Sequence, residues 1–204
     1  MKLFTKAITA TAMTLTLGVY AHAQAEPMSL LSYTNETQAK GNVKKIYSEI
    51  KKTWGFVPIV IQQYSVNPEL LQAQWDTYKT LGSNTNFSPK MQAMMRLLIA
   101  DKSDCSYCVG LNEGMLINMF KMPFEEVQAL KKDPHSAQLA TKQKSMLMFI
   151  LQSVNHPHDN TTKDIEALHK LGWNDKDIFD GVKMGTSMVS AALLIDALKI
   201  QKDY

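Results

Sequence analysis

The sequence predicts an all-α protein, and three observations support that prediction. Apolar residues recur at three- and four-residue spacing along most of the 204-residue chain, which is the period of a helix with one buried face. No run of alternating β-branched residues is long enough to indicate a sheet. The pairs Asn67-Pro68 and Ser88-Pro89 have the composition of helix starts. With 45% hydrophobic residues, the chain can build the core of a single domain.

Residues 1–25 are expected to be a signal peptide. Lys2 and Lys6 precede an apolar stretch over residues 7–20, and small residues then allow cleavage after Ala23 or Ala25. The alternative, a membrane anchor, is less favoured because the apolar run is shorter than the ~20 residues of a bilayer span. We therefore expect a periplasmic or secreted domain over residues 26–204, without a membrane segment after cleavage. Disulfides persist in such compartments.

The first two predicted helices have one apolar face each. TQAKGNVKKIYSEIKKTW ends at Gly55, a residue typical of helix C-termini, and carries the stripe Val43, Ile46, Tyr47 and Ile50. A short apolar piece, GFVPIVIQQYS, follows. NPELLQAQWDTYKTLG starts with Asn67 as the expected cap, and its inward-facing residues are predicted to be Leu70, Leu71, Trp75 and Tyr78.

Six further helices are predicted in the rest of the chain. SPKMQAMMRLLIADKSD comes first, and the cysteine segment then forms a helix to about Phe120. MPFEEVQALKKD should begin at Pro123, with acidic residues in its first turn and lysines in its last, and should end at Pro134. SAQLATKQKSMLMFILQSVN is an apolar helix, followed by the loop HPHDNTT. The short helix TKDIEALHKLG and the long helix NDKDIFDGVKMGTSMVSAALLIDALKIQ complete the chain.

The charge balance gives no indication of nucleic-acid binding. The formal charge of +3 includes Lys2 and Lys6, so removing both leaves about +1. No cluster of Lys and Arg falls on one predicted face. Small molecules or other proteins are the expected partners.

The two cysteines stand three residues apart in DKSDCSYCVGLNEG. If a helix starts at Cys105 with Asp104 as its N-cap, then Cys105, Cys108 and Asn112 lie within about 60° of one another on one face. A thiol in the first turn of a helix is stabilised as thiolate by unpaired backbone N–H groups and by the helix dipole. This is the arrangement of a redox pair, in which one thiolate attacks and the other closes the disulfide.

Three other interpretations of the cysteine pair compete with redox chemistry. Covalent haem attachment requires a histidine where the chain has Val109. A zinc site requires about four ligands, and only scattered histidines could supply the others. A purely structural disulfide is the main alternative, although so short a loop gains little entropic stabilisation from being closed.

The chain resembles the carboxymuconolactone decarboxylase and alkylhydroperoxidase (AhpD-like) superfamily. The similar segments are NVKKIYSEIKKTWGFVPIVIQQYSVNPELLQA, FSPKMQAMMRLLIA, DCSYC and TTKDIEALHKLGWNDKDIFDGV, which together span nearly the whole mature chain. The resemblance implies a single all-α domain, assembly into homo-trimers or hexamers, and thiol peroxidase activity. It also implies that Cys108 attacks a hydroperoxide and that Cys105 resolves the sulfenic acid and exchanges with a thiol reductant.

Two positions depart from the pattern of active members of that superfamily. The pattern has a Glu twelve residues before the first cysteine and a His four residues after the second, where this chain has Ala93 and Asn112. Neither can relay a proton, and such help is worth ~10²–10⁴ in rate. Glu113 is a possible substitute base but should point about 140° away from Cys108. Nearby carboxylates such as Asp101 would raise a thiol pKa.

Other residues that could suggest a site have ordinary explanations. His156 and His158 could bind metal but are more typical of a solvated loop, and His135 and His169 suggest less still. The many methionines favour core or oligomer packing over copper binding; they include Met91, Met94, Met95, Met115, Met119 and Met122. The aromatic residues Trp54, Phe56 and Tyr64 could line a pocket over the thiols or belong to the core. No metal and no cofactor is expected.

Two functional hypotheses follow. The first is an exported antioxidant peroxidase with Cys105 and Cys108 as its redox couple, a hydroperoxide as substrate and an unidentified thiol reductant. The second is a non-catalytic binding or scaffold protein with a structural disulfide, which the residues Ala93 and Asn112 favour. A lactone decarboxylase is a more distant possibility, because such members generally do not depend on a cysteine pair.

Overall fold

The structure is a computed structural model that describes residues 29–204, and in this range it contains helices and no strand. The predicted signal peptide and its cleavage sites lie outside the described residues. The nine α-helices are α1 Gly41–Trp54, α2 Ile59–Gln63, α3 Pro68–Gly82, α4 Pro89–Lys102, α5 Ser106–Asn118, α6 Phe124–Lys132, α7 Thr141–Asn155, α8 Thr162–Lys170 and α9 Asp175–Ala197. Short 3₁₀ turns cover Tyr64–Val66, Pro134–Ser136 and Pro157–Asp159. The all-α prediction is confirmed.

Three residues predicted to start or end helices form the expected capping hydrogen bonds. Gly55 has the left-handed φ of 87° and donates its N–H to Lys51, which closes α1. The side chains of Asn67 and Ser88 accept N–H groups of the first turns of α3 and α4. Local capping chemistry therefore fixes where these three helices begin or end.

Several details differ from the sequence-based expectations. The apolar piece after Gly55, to which no helix was assigned, contains the short helix α2. Leu70 is 51% exposed, because the inward face of α3 is set by Leu71 and Trp75, one turn apart. Pro123 caps α6 instead of beginning it, and α7 starts only at Thr141.

The core has a large and a small part, with α4 at the centre of the large one. Helix α4 is buried on almost every side and packs against α5, α6, α7 and α9. The smaller cluster joins α1, α2 and α3 through residues that include Ile46, Ile50, Ile61, Leu71 and Trp75. Because α4 leads directly into the cysteine turn, the most buried helix of the large core supports that turn.

Helices α7 and α9 approach each other closely at two glycines of α9. A Cβ atom at Gly185 would lie 2.7 Å from a methyl carbon of Ile150 and 2.9 Å from one of Val154. At Gly181 the nearest atom, also of Ile150, would lie at 3.0 Å. Glycine is thus required at position 185 by the contact between the two helices and not by its backbone conformation.

A buried polar network ties the start of α9 to the loop before α4. The Nδ2 atom of Asn84 donates to Asp177 at 2.9 Å and to Asp180 at 2.8 Å, and Asn86 donates to both oxygens of Asp177. Burial alone would raise the pKa of Asp177, but these hydrogen bonds, with the N–H of Asn174, hold it below its ordinary value.

Helix α9 is more apolar than was expected for a segment after the leader. Of the helices in residues 29–204, only α9 is long and apolar enough to cross a membrane by length and composition, although no such segment was expected after the leader. Of its most apolar window, 44% is buried within the protein. Contacts with α4 and α7 account for this burial.

Candidate functional site

The two cysteines form a disulfide at the start of α5. Cys105 itself is the N-cap, since its sulfur accepts the N–H of Cys108 at 3.3 Å. The expectation that Asp104 caps this helix is wrong. Asp104 has a left-handed φ of 52°, and the N–H of Cys105 bonds back to Ala100 at 3.1 Å. This is the geometry that ends a helix, so Asp104 terminates α4 and the sulfur of Cys105 begins α5.

Both sulfur atoms are shielded from solvent. Cys105 is 0% exposed and Cys108 is 2% exposed. The cluster around them comes from several elements, since its buried members include Ala100 of α4, Tyr107 of α5, and Ala192 and Ile195 of α9. Ile59 and Val60 of α2 pack against the same cluster. A peroxide or a reductant can therefore reach the sulfurs only if part of this cover moves.

Part of the cover is the segment 199–204, here called the strap. Ile200 is buried in the cluster that contains the disulfide. Asp203 accepts the N–H of Ile59 at 2.8 Å and the hydroxyl proton of Tyr107. Burial, and after it the carboxylate of Asp203, raises the pKa of Tyr107, so this phenol remains a donor at neutral pH.

Tyr204 holds the outer end of the strap against α5. Its hydroxyl donates to the carbonyl oxygens of Ser106 at 2.9 Å and Tyr107 at 3.1 Å. A Cβ atom at Gly110 would overlap the phenol ring of Tyr204. The ring of Tyr204 can therefore pack against α5, the helix that carries both cysteines, only because position 110 has no side chain.

Asn112 lies one turn after Cys108, as the sequence predicts, and is buried. Its Nδ2 atom donates to the carbonyl oxygen of Cys108 at 2.8 Å, and its Oδ1 atom accepts from Nε of Arg96 at 2.9 Å. Both ends of the amide are thus engaged. Ala93 is fully buried. Neither of these two positions offers a group that could take a proton from a thiol.

Arg96 is the residue of this region that the sequence reasoning missed. Besides Asn112, its guanidinium contacts the sulfur of Met115, with Nη2 at 3.3 Å. No carboxylate of residues 29–204 forms a salt bridge with it. Burial lowers the pKa of Arg96 to about 10, so it stays protonated at neutral pH. The signal in the sequence was simple: Arg96 is the only arginine of the chain.

The remaining candidates of the sequence stand apart from the disulfide. Glu113 pairs with Lys131 of α6 at 3.0 Å, and Asp101 reaches the same lysine at 3.2 Å. His156 and His158 are exposed at the 3₁₀ turn that follows α7. No group of three His, Cys, Asp or Glu side chains between residues 29 and 204 could hold a metal ion.

The three aromatic residues considered for a pocket lie elsewhere. Trp54 packs edge-on against Trp75, with ring centroids 5.2 Å apart, and against Tyr78. Tyr64 belongs to the edge of the same small cluster, and Phe56 is 40% exposed. The residues that cover the disulfide come instead from α2, α5, α9 and the strap.

The comparisons with known proteins identify the fold. No family model and no curated protein matches the sequence. An alkylhydroperoxidase AhpD core, an uncharacterized peroxidase-related protein from Ralstonia eutropha JMP134, superposes with a TM-score of 0.74 at 19% identity, covering 88% of this chain and 94% of that one. An uncharacterized peroxidase-related protein from Silicibacter sp. TM1040 gives 0.68 at 20% identity, covering 85% and 88%. The debrominase Bmp8, solved with 2,3,4-tribromopyrrole, gives 0.65 at 12% identity, covering 86% and 94%. The resemblance drawn from the sequence is confirmed as a likeness of fold.

Proposed function

Because the chain has the AhpD-like helical fold, we propose that it is an exported thiol-dependent peroxidase that uses Cys105 and Cys108 as its redox couple. The observation that carries the proposal is the disulfide at the first turn of α5. In this position a backbone N–H already points at sulfur, and on reduction the same N–H stabilises a thiolate.

The reaction is an exchange of two electrons between the dithiol and a hydroperoxide. The sulfur of Cys108 attacks the terminal peroxide oxygen, so that an S–O bond forms and the O–O bond breaks. The alcohol leaves with the thiol proton, and Cys108 becomes a sulfenic acid. Cys105 then attacks that sulfur, the S–S bond forms, and water departs. An external thiol reductant returns two electrons and two protons, which restores the dithiol.

The roles of the two sulfurs rest on different arguments. The resemblance to AhpD-like proteins assigns the attack to Cys108. The hydrogen bond from the Cys108 N–H favours negative charge on Cys105. A thiolate at Cys105 is suited to resolving the sulfenic acid, because thiolate is the reactive form in disulfide formation.

The absence of a proton relay limits the rate of this reaction. Asn112 is fixed by Arg96 and by the carbonyl of Cys108, so it positions the helix and moves no proton. General-base help is worth ~10²–10⁴ in rate, and we expect the oxidation of Cys108 to be slower than in a thiol peroxidase with an intact relay by a factor in that range. Export, homo-oligomer assembly and an extracytoplasmic thiol reductant complete the proposal.

The burial of the disulfide favours a second candidate function, a non-catalytic binding or scaffold protein. With Cys105 at 0% and Cys108 at 2% exposure, the bond is placed like a structural one. In that case the bond should resist reduction, with a potential below about −300 mV.

The test is stopped-flow oxidation of the reduced protein by hydrogen peroxide and by cumene hydroperoxide. The variants Cys108→Ser and Cys105→Ser are compared with a reduced peptide of sequence DKSDCSYCVG, which has the same thiols without the fold. We expect the protein to react faster than the peptide and Cys108→Ser to abolish the reaction.

Two outcomes would contradict this expectation in different ways. If Cys105→Ser abolishes oxidation and Cys108→Ser retains it, the roles of the two sulfurs are reversed. If the protein reacts no faster than the peptide, the peroxidase proposal fails and the scaffold function stands.

A further inference from the structure

Arg96 is a cation held in place by neutral atoms. Its Nε is bound to the amide oxygen of Asn112, and its Nη2 to the thioether of Met115. Half-buried charges in proteins are ordinarily paired with an opposite charge, and no carboxylate of the described residues supplies one. The two nearest acidic side chains on α4 and α5, Asp101 and Glu113, are both engaged by Lys131. The charge on Arg96 is therefore uncompensated within residues 29–204.

The remaining guanidinium nitrogen is open to a ligand. Nη1 of Arg96 has no hydrogen-bond partner among the described residues, and it is not sealed from solvent. The phenol of Tyr78 lies close enough to feel the charge of Arg96, and burial raises the pKa of Tyr78 to about 12. At neutral pH this phenol is a proton donor. Tyr78 therefore adds no negative charge beside Arg96 and leaves its cation uncompensated.

A second polar group, on helix α2, has no partner among the described residues. Gln63 is 2% exposed, and both atoms of its amide are buried without a hydrogen bond, the only such side-chain atoms in the described part of the chain. It follows Ile59 by one helical turn, so it shares the face of α2 that packs against the disulfide cluster. A buried amide without partners indicates a polar atom that residues 29–204 do not supply.

The choice of residue at position 96 also fits an anion of a particular shape. All other basic residues except the histidines are lysines. Arginine differs from lysine by a planar fork of donors that matches a carboxylate with two parallel hydrogen bonds. The surroundings of the fork are otherwise apolar or aromatic, with Met115 and Tyr78 beside it. A carboxylate on an apolar body is the ligand with this chemistry.

The position of Arg96 relates such a ligand to the cysteines. One amide group, that of Asn112, separates the guanidinium from the carbonyl of Cys108, and both contacts are shorter than 3 Å, at 2.9 and 2.8 Å. Met115 places the fork on the side of Asn112 that points away from Cys108 along α5. A ligand bound through its carboxylate to Arg96 therefore lies beside the helix that carries both cysteines.

From this geometry we infer that Arg96 binds the carboxylate of an apolar carboxylic acid and selects carboxylate-bearing hydroperoxides as substrates of the cysteine pair. The anion site stands on the contacts of Arg96 alone, whereas the choice of substrate rests on the proposed peroxidase function. Arg96 is in this view a specificity-determining residue and takes no part in the transfer of electrons.

The first experiment measures binding without any reaction. Decanoate and decanol are titrated into the oxidised protein by calorimetry, with Arg96→Met, Arg96→Lys and the control Lys102→Met, which removes an exposed cation of the same helix. We expect Arg96→Met to weaken decanoate binding about tenfold to a hundredfold and to leave decanol binding unchanged. The affinity of Arg96→Lys for decanoate should lie between those of wild type and Arg96→Met, because lysine keeps the charge but lacks the planar fork of donors.

The same variants distinguish the possible sources of the counter-charge. If decanoate binds equally well to wild type and to Arg96→Met, or does not bind to wild type, the inference is overturned. A change of oligomeric mass in Arg96→Met, without a change in decanoate affinity, would assign the counter-charge to a second copy of the chain and also overturn it. Thermal unfolding of both variants shows whether each is folded. If Arg96→Met does not fold, the affinity of folded Arg96→Lys for decanoate decides the matter, and an affinity equal to that of wild type overturns the inference.

The second experiment links the site to the chemistry. The reduced protein is oxidised by linoleic acid hydroperoxide and by its methyl ester, which differ only in the free carboxylate. We expect the acid to react faster in wild type, and the preference to disappear in Arg96→Met but not in Lys102→Met. If decanoate binds through Arg96 and neither hydroperoxide oxidises Cys108, the peroxidase proposal fails while the anion site stands. If both hydroperoxides react at equal rates, the selection of substrate is refuted.

Discussion

Replacing Gly110 with alanine should speed reduction of the disulfide without destabilising the fold. The added Cβ would overlap the phenol of Tyr204, an exposed side chain that can swing away from α5. Gly114, one turn later on the same helix, is the matched control, because a Cβ there meets only Asn118 at 3.9 Å. Both substitutions replace glycine within a helix and should each gain up to about 1 kcal/mol of helix propensity.

The expected effect on reduction follows from the contacts that Tyr204 loses. Its hydroxyl donates to the carbonyls of Ser106 and Tyr107, and a net hydrogen bond is worth about 0.5–1.5 kcal/mol. Losing these hydrogen bonds and the ring contacts at Gly110 weakens the binding of the strap to α5 by about 1–2 kcal/mol. The population of molecules whose strap is detached from α5 then increases about 5- to 30-fold. If the reductant enters through this opening, the rate of reduction rises by the same factor.

The assay is reduction of the oxidised protein by dithiothreitol under pseudo-first-order conditions, with the free energy of unfolding measured in urea. Gly110→Ala should be reduced faster than both wild type and Gly114→Ala, while its free energy of unfolding equals or exceeds that of wild type. Equal reduction rates in the two variants would refute the reasoning, since they would show that the strap does not control access. A faster rate accompanied by loss of global stability would also refute it, because general unfolding would then be the route.

Two further predictions concern the stability of the fold. Gly185→Ala should lower the free energy of unfolding by about 1–3 kcal/mol in urea, because its Cβ would overlap side chains of α7, whereas Gly114→Ala should not lower it. Asn84→Ala should cost about 2–4 kcal/mol at pH 7, because it leaves the buried carboxylates of Asp177 and Asp180 without their shared donor. The depressed pKa of Asp177 means that its contribution is present above about pH 4, the range of an unfolded Asp, and is lost as the pH falls through its folded pKa. Asn84→Ala should therefore differ most from wild type at neutral pH and least near pH 2; a constant difference across that range would contradict this account.

The helices and their capped ends could be predicted because their signals are local. The Asn-Pro and Ser-Pro starts, and the C-terminal cap at Gly55, depend only on residues within one turn. The exposure of Leu70 is not predictable from the sequence, because two neighbouring leucines at the start of α3 satisfy the same pattern and only the packing of α1 against α3 decides between them. Asp104 was misread for a related reason, since an aspartate between two helices can end the first or begin the second.

The site was predictable only in part. The shared face of Cys105, Cys108 and Asn112 followed from helical geometry. Arg96 and the strap could not be predicted, because both act through contacts between residues distant in sequence. Arg96 and Asn112 are 16 residues apart, and Ile59 and Asp203 are 144 apart. No periodicity reports such contacts. The one indication of this site in the sequence is that Arg96 is the only arginine among many lysines.

Cys105 begins helix α5 with its own sulfur, so that one atom both caps the helix and belongs to the disulfide. In the disulfide this sulfur is a weak, uncharged acceptor for the N–H of Cys108, whereas a thiolate in the same place is a charged and stronger one. Folding and reduction form a closed thermodynamic cycle, so whatever strengthens the helix start in the dithiol also makes the folded disulfide easier to reduce by the same free energy. If the pair is redox-active, as proposed, this hydrogen bond at the first turn of α5 raises the reduction potential of the disulfide by that free energy.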